Sequence, residues 1–200
     1  MIMRLFLVPA FVASLAVPVA AGEIPLSAIS AYLNGIKTAE TSFTQINPDG
    51  SGASGKVYIQ RPGRMRFEYA EPDKTVVLAS GGEVAIFDSR SNQPPEQYPL
   101  KKTPLNLILG AHVDLDQARM VVAHDQEGAL TVVIAQDPDH PEYGNIALGF
   151  ADNPVALRQW IVTDQSGAQT TVLLDRLVAG GDYAPSLFQI EAEMERRAKN

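Results

Sequence analysis

From Ser42 to Val178 the chain alternates short apolar runs with turn residues, and few architectures accept that pattern. The runs are SFTQINP, KVYIQ, RMRFEY, TVVLAS, EVAIFDS, ARMVVAH, ALTVVIAQ, NIALGF, ALRQWIVTD and QTTVLLDRLV. DGSGASG, EPDK, Gly81-Gly82, Gly128, DPDHPEYG, Asp152-Asn153-Pro154 and Ser166-Gly167 separate them. Alternation of period two bounded by such residues reads as strands joined by tight turns. Gly81-Gly82 carries a mechanism, because only glycine takes positive φ freely. SNQPPEQYP, residues 91–99, reads as a proline-rich loop, SLFQI as a last short strand, and EAEMERRAKN as a short helix or a polar tail. Ten or eleven short antiparallel strands at this spacing make a sandwich or barrel.

Two segments keep a helical period instead. In IPLSAISAYLNGIKTAE, Leu26, Ile29, Leu33 and Ile36 share one face, with Pro25 suited to the first turn. In TPLNLILGAH, Pro104 starts one or two apolar turns and Gly110 stops them. A small closed barrel would have no use for two apolar helices. A curved, incompletely closed sheet would, since its concave face needs a cover. Large residues recur on alternate strand positions, as in Val57 and Ile59, Leu130, Val132 and Ile134, or Ile146, Leu148 and Phe150. Such alternation fits a filled core or the wall of an apolar cavity, and the residues alone leave both open.

The first 21 residues read as a cleaved secretory leader. Arg4 supplies the positive start, LFLVPAFVASLAVPV the apolar region, and Val19-Ala20-Ala21 the small residues before cleavage. The apolar run is short beside the roughly 20 residues a membrane span needs. The remaining residues, 22–200, form one expected domain of 179 residues, soluble and monomeric, with net charge −8 against −7 for the whole chain. An acidic chain without a basic block does not suit nucleic acid. The chain has no cysteine, which removes thiol catalysis, thiolate metal sites and acylation of an N-terminal Cys.

Catalytic patterns are thin. His112, His124 and His140 share no ligand spacing; His140 stands near Asp137 and Asp139 between two prolines, which reads as a rigid turn. GSGASG lacks the lysine and following helix of a phosphate loop. No metal, no cofactor and no enzymatic activity is expected.

QRPGRMRFEY, residues 60–69, brings these threads together. Met65, Phe67 and Tyr69 share one face of a strand; Arg64, Arg66 and Glu68 share the other, toward water or an acidic partner. SFTQ, then GKVYIQRPGRMRFEY, PDKTVVLASGGEVAIFD and TPLNLILG resemble, in that order, the periplasmic outer-membrane lipoprotein carrier family, LolA. The resemblance covers roughly residues 26–190. It implies a mainly β fold: an unclosed antiparallel barrel of about eleven strands, with short α-helices forming a lid over an apolar cavity. It implies a carrier that takes acylated lipoproteins from an inner-membrane ABC transporter and delivers them to an outer-membrane acceptor. On that footing Phe43, Met65, Phe67, Tyr69, Val77, Phe87, Leu148 and Trp160 are candidates for the cavity wall. Leu26, Ile29, Leu33, Leu105, Leu107, Ile108 and Leu109 are candidates for the lid. Arg61, before Pro62, matches the family's Arg-Pro and is expected to latch the lid to the strand mouth. A periplasmic sensor of lipid or lipoprotein on the same half-barrel is the alternative. An enzyme acting on lipid in the same cavity would need an inward catalytic group that no residue names.

Overall fold

The computed structural model describes residues 22–91, 93–117 and 119–199; the expected leader lies outside them. A helix α1 (Leu26–Gly35) precedes six strands: β1 (Thr38–Ile46), β2 (Gly52–Gln60), β3 (Arg64–Tyr69), β4 (Val76–Ser80), β5 (Glu83–Phe87) and β6 (Glu96–Pro99). A 3-10 turn at Leu100–Lys102 leads to α2 (Leu105–Leu109). Then come β7 (Val121–Glu127), β8 (Leu130–Gln136), β9 (Asn145–Ala151), β10 (Ala156–Thr163), β11 (Gln169–Leu174) and the two-residue β12 (Val178–Ala179), before α3 (Ile190–Ala198).

All strands join one antiparallel sheet in the order β6-β5-β4-β3-β2-β1-β11-β10-β9-β8-β7, with β12 also pairing β1. The sheet is unclosed, with β6 and β7 at its edges. Twelve strands replace the expected eleven. Three differences account for this: two strands gained and one lost. The run expected as one strand over 169–178 breaks at Asp175–Leu177 into β11 and β12. The proline-rich loop also contains β6, which Pro99 can close because an edge strand has one unpaired side. SLFQI is not a strand: Pro185 opens a 3-10 turn over Pro185–Phe188, and α3 follows.

Gly81 and Gly82 have φ of +59° and +85°, the two left-handed residues of a tight hairpin turn. That turn sets Ser80 opposite Glu83, Val77 opposite Ile86 and Val76 opposite Phe87. The two faces of this hairpin therefore separate. Ala79 and Val84 join the main core with Val77 packed against it, while Val76, Leu78, Ala85 and Phe87 face the other way. The main core lies between the inner face of the sheet and helices α1 and α2. A smaller apolar cluster on the outer face adds Phe188 and Ile190, so the C-terminal segment covers it.

Helix α1 starts at Pro25, whose carbonyl accepts from Ala28 N–H at 2.9 Å and Ile29 N–H at 3.1 Å. Helix α3 carries Glu191 and Glu193 in its first turn and Arg196 and Arg197 in its last, each sign at the favourable end of the helix dipole. Among the described residues no helix is long and apolar enough to cross a membrane.

Candidate functional site

The inner face gathers aromatic residues that are far apart in the chain. Phe43 on β1 meets Phe67 and Tyr69 on β3 edge to face, at centroid distances of 5.3 and 5.1 Å. Trp160 on β10 lies edge-on to Phe67 at 6.1 Å. These geometries suit the ring quadrupole and add to the burial of large apolar area. Met65 and Leu148 are fully buried in the same core, and Val77 packs against it. Tyr69 donates its hydroxyl to Gln45 Oε1 at 2.6 Å. Burial pushes the Tyr69 pKa up to about 12, against the opposing effect of the Gln45 hydrogen bond.

Phe87 is a correction. It lies on the outer face beneath the C-terminal segment, because the Gly81-Gly82 hairpin sets it beside Val76 rather than Val77. The β8 alternation is also inverted: Val133 and Ala135 enter the core, opposite Leu148 and Ile146, and Val132, although buried, lies outside that cluster.

All seven candidate lid residues meet this core. Ile29, Leu33, Ile108 and Leu109 are buried in it, and Leu26, Leu105 and Leu107 pack against it. Side chains from the sheet and from both helices meet in this core. Two concavities lie elsewhere. One, of about 10 Å³, sits between Lys101–Leu107 and the β8–β9 connection; the other, of about 270 Å³, lies among Glu40, Thr41, Ser42, Lys56, Asp175, Arg176 and Val178.

Arg61 stands between α1 and α2. Its Nη1 donates to the Leu33 carbonyl at the end of α1. Its Nη2 donates to the Gly110 carbonyl just after α2 at 2.7 Å and reaches Asn34 Oδ1 at 3.4 Å. The planar fork holds its donors in a fixed geometry toward acceptors on both helices, where a lysine ammonium is a compact charge with rotatable donors. Burial lowers the Arg61 pKa from the ordinary guanidinium value, but an arginine stays charged at neutral pH. Backbone bonds flank this contact: Arg61 N–H to Lys37 O at 2.8 Å and Gly63 N–H to Leu109 O at 2.8 Å.

Ser30, Tyr32 and Asn34 were not among the sequence candidates. Asn34 Nδ2 donates to Val113 O at 2.7 Å, and Val113 N–H donates back to Asn34 Oδ1 at 2.9 Å. Leu115 N–H donates to Ser30 Oγ at 2.9 Å, and Leu157 N–H to Tyr32 Oη at 3.1 Å. The available signal was polar residues four apart, beside the apolar positions of an amphipathic helix.

Arg66 is the second correction. It is not on a solvated face but buried to 2 % exposure, under α3. Its Nε donates to Glu68 Oε1 at 2.7 Å and its Nη2 to Glu193 Oε2 at 2.9 Å. Arg197 Nε donates to Glu193 Oε1 at 2.9 Å, Arg196 pairs with the same carboxylate, and Arg197 stands 5.2 Å from the Phe87 ring centroid. Burial raises the Glu193 pKa, but hydrogen bonds from Arg197 and Arg66 outweigh it and hold the carboxyl below its usual range. His140 stacks on Tyr143 and meets Glu142 at 3.0 Å. Among the described residues no group of three or more His, Asp or Glu is placed to hold a metal.

The geometry defines a half-barrel: an unclosed antiparallel sheet with two short helices packed over its apolar inner face, both bonded by the Arg61 guanidinium. The chain belongs to the LolA family of outer-membrane lipoprotein carrier proteins, whose sequence model matches residues 34–191. It is similar to the outer-membrane lipoprotein carrier protein of Methylococcus capsulatus, 25% identical over 173 residues and 82% of each chain. It is 29% identical to that of Legionella pneumophila over 174 residues, 82% of this chain and 83% of that one. Among solved structures, a domain from Vibrio parahaemolyticus named for outer-membrane lipoprotein sorting matches at a TM-score of 0.50. That match has 7% identity and covers 83% of this chain and 95% of that one.

Proposed function

We propose that this protein is a periplasmic chaperone that takes up the acyl chains of lipoproteins released from the inner membrane and carries them to the outer membrane. The observation that carries the reading is Arg61, which bridges the ends of both lid helices over an apolar interior. Acyl chains entering that interior displace the lid and replace side-chain contacts with acyl contacts. Hiding each methylene from water contributes about 0.8 kcal/mol. That gain offsets the opened lid, while the latch favours the empty, closed state and so favours release. No bond of the cargo is made or broken, and no inward catalytic group is needed. An inner-membrane ABC transporter is the proposed donor and an outer-membrane site the proposed acceptor.

The direct test adds the mature protein to spheroplasts making labelled lipoproteins. A soluble one-to-one complex of carrier and lipoprotein is expected. If the folded protein releases no lipoprotein, the reading fails.

A further inference from the structure

The lid has two kinds of polar contact, and they meet at Asn34, whose Oδ1 accepts from Val113 N–H at 2.9 Å and is reached by Arg61 Nη2 at 3.4 Å. One kind ties lid to sheet. Arg61, from the β2–β3 turn, holds Leu33 O and Gly110 O. Gly63 N–H holds Leu109 O, and Leu157 N–H, at the start of β10, holds Tyr32 Oη. The other kind ties lid to lid. Asn34 makes its two-bond pair with the backbone of Val113, and Ser30 accepts from Leu115 N–H.

The lid-to-lid set has an unusual form. Three backbone groups of residues 113–115 are bonded by helix side chains one turn apart, where a sheet would use a neighbouring strand. The Val113 and Leu115 side chains point into the core, at 1 % and 2 % exposure. Lifting α1 away from residues 113–115 would therefore break all three bonds together. Lifting both together leaves these bonds intact and breaks only the ties to the sheet.

We infer that α1, α2 and residues 110–115 open as one rigid body, with Asn34 as the positioning residue that couples α1 to the segment after α2. The inference rests on reading these helices as a lid. It adds that the lid does not splay: one hinged plate leaves the sheet. Arg61 then acts on the whole plate through its two carbonyl acceptors.

Amide hydrogen exchange resolved by residue tests this on the unliganded protein, so the outcome is independent of any cargo. The amides of Gly63 and Leu157 report lid-to-sheet bonds; those of Val113 and Leu115 report lid-to-lid bonds. In Arg61→Leu, exchange at Gly63 and Leu157 should rise about tenfold or more, while Val113 and Leu115 stay within about twofold of wild type. A parallel rise at all four amides overturns the inference, since the lid then splays. A rise at Gly63 without Leu157 also overturns it, because α1 has stayed down. No rise at either removes Arg61 as the tie. In Asn34→Ala, exchange at Val113 should rise about tenfold or more with Gly63 little changed; unchanged Val113 exchange removes Asn34 as the coupling residue. Unlike the spheroplast assay, these results do not depend on whether the interior accepts acyl chains.

Discussion

The Arg61 guanidinium donates through Nη2 to the Gly110 carbonyl at 2.7 Å, while its Nη1 serves Leu33. Residues 33 and 110 end different helices, so one side chain closes both. Hydrogen bonds from a charged donor contribute about 1.5–3 kcal/mol each. Removing them destabilises the closed, empty state more than the loaded one. Arg61→Leu should therefore fold normally, retain cargo, and slow handover to outer-membrane vesicles by about tenfold or more. The measurement is the labelled lipoprotein passed from preloaded carrier to vesicles; equal transfer in mutant and wild type removes the latch.

Trp160 is the chain's single tryptophan and is buried against Phe67. A brominated fatty acid entering the interior should quench its fluorescence saturably, and an unlabelled acyl chain should restore it. Without quenching, the interior is a permanently filled core.

The Arg66–Glu193 pair fixes α3 to the outer face at 2 % and 3 % exposure. Removing one member leaves the other charge buried. Arg66→Met should cost about 3 kcal/mol in urea unfolding. The double variant Arg66→Met with Glu193→Met should cost less than the two single changes summed; additivity would mean the two do not interact.

Glu193 has a lowered pKa, so its contribution is present above the unfolded carboxylate value of 4.5 and is lost as pH falls through the lower folded value. Acidification below that range should release α3 before the sheet melts, seen as early exchange of the α3 amides. If sheet and helix exchange together, the helix has no separate dependence on Glu193.

Tyr69 gives the opposite sign. Its pKa is raised from 10.0 to about 12 by burial. The folded state therefore keeps a proton that the unfolded state has lost, and stability falls as pH rises from 10.0 toward about 12. Tyr69→Phe should flatten that decline and remove one late phenolate from the ultraviolet titration. A Tyr69 that ionises near 10.0 would contradict its burial.

The strands and the two apolar helices were legible because each rests on local pattern, alternation or a 3.6 period, whereas Arg61 was singled out only by the Arg-Pro match to the family. The facing of Phe87 was misread although the sequence held a cue. A two-residue Gly81-Gly82 turn counts back to put Val76, not Val77, beside Phe87. Residues 131–135, TVVIA, are apolar in either phase, so alternation could not choose a face; only the ladder to β9 does. Arg66 hid because its cover comes from Glu193, 127 residues away. The local hint was apolar Leu78, which pairs directly with Arg66 across the ladder. Asn34 hid because its partner is a backbone, which no side-chain pattern reveals.

The place of β1 in the sheet also bears on how the molecule is made. β1 is the first strand in the chain, yet it pairs on one side with β2 and on the other with β11 and β12. A ribosome or export channel that delivers the chain from its N-terminus completes β2 through β6 while the other edge of β1 stays unpaired. That edge waits until residues 171–174 arrive, so the two halves of the sheet are joined last, by contacts spanning more than half the chain. Such long-range closure is slow, and an open central strand is a template for pairing with other chains. Until β11 arrives, that edge of β1 is where the growing chain is open to strand pairing.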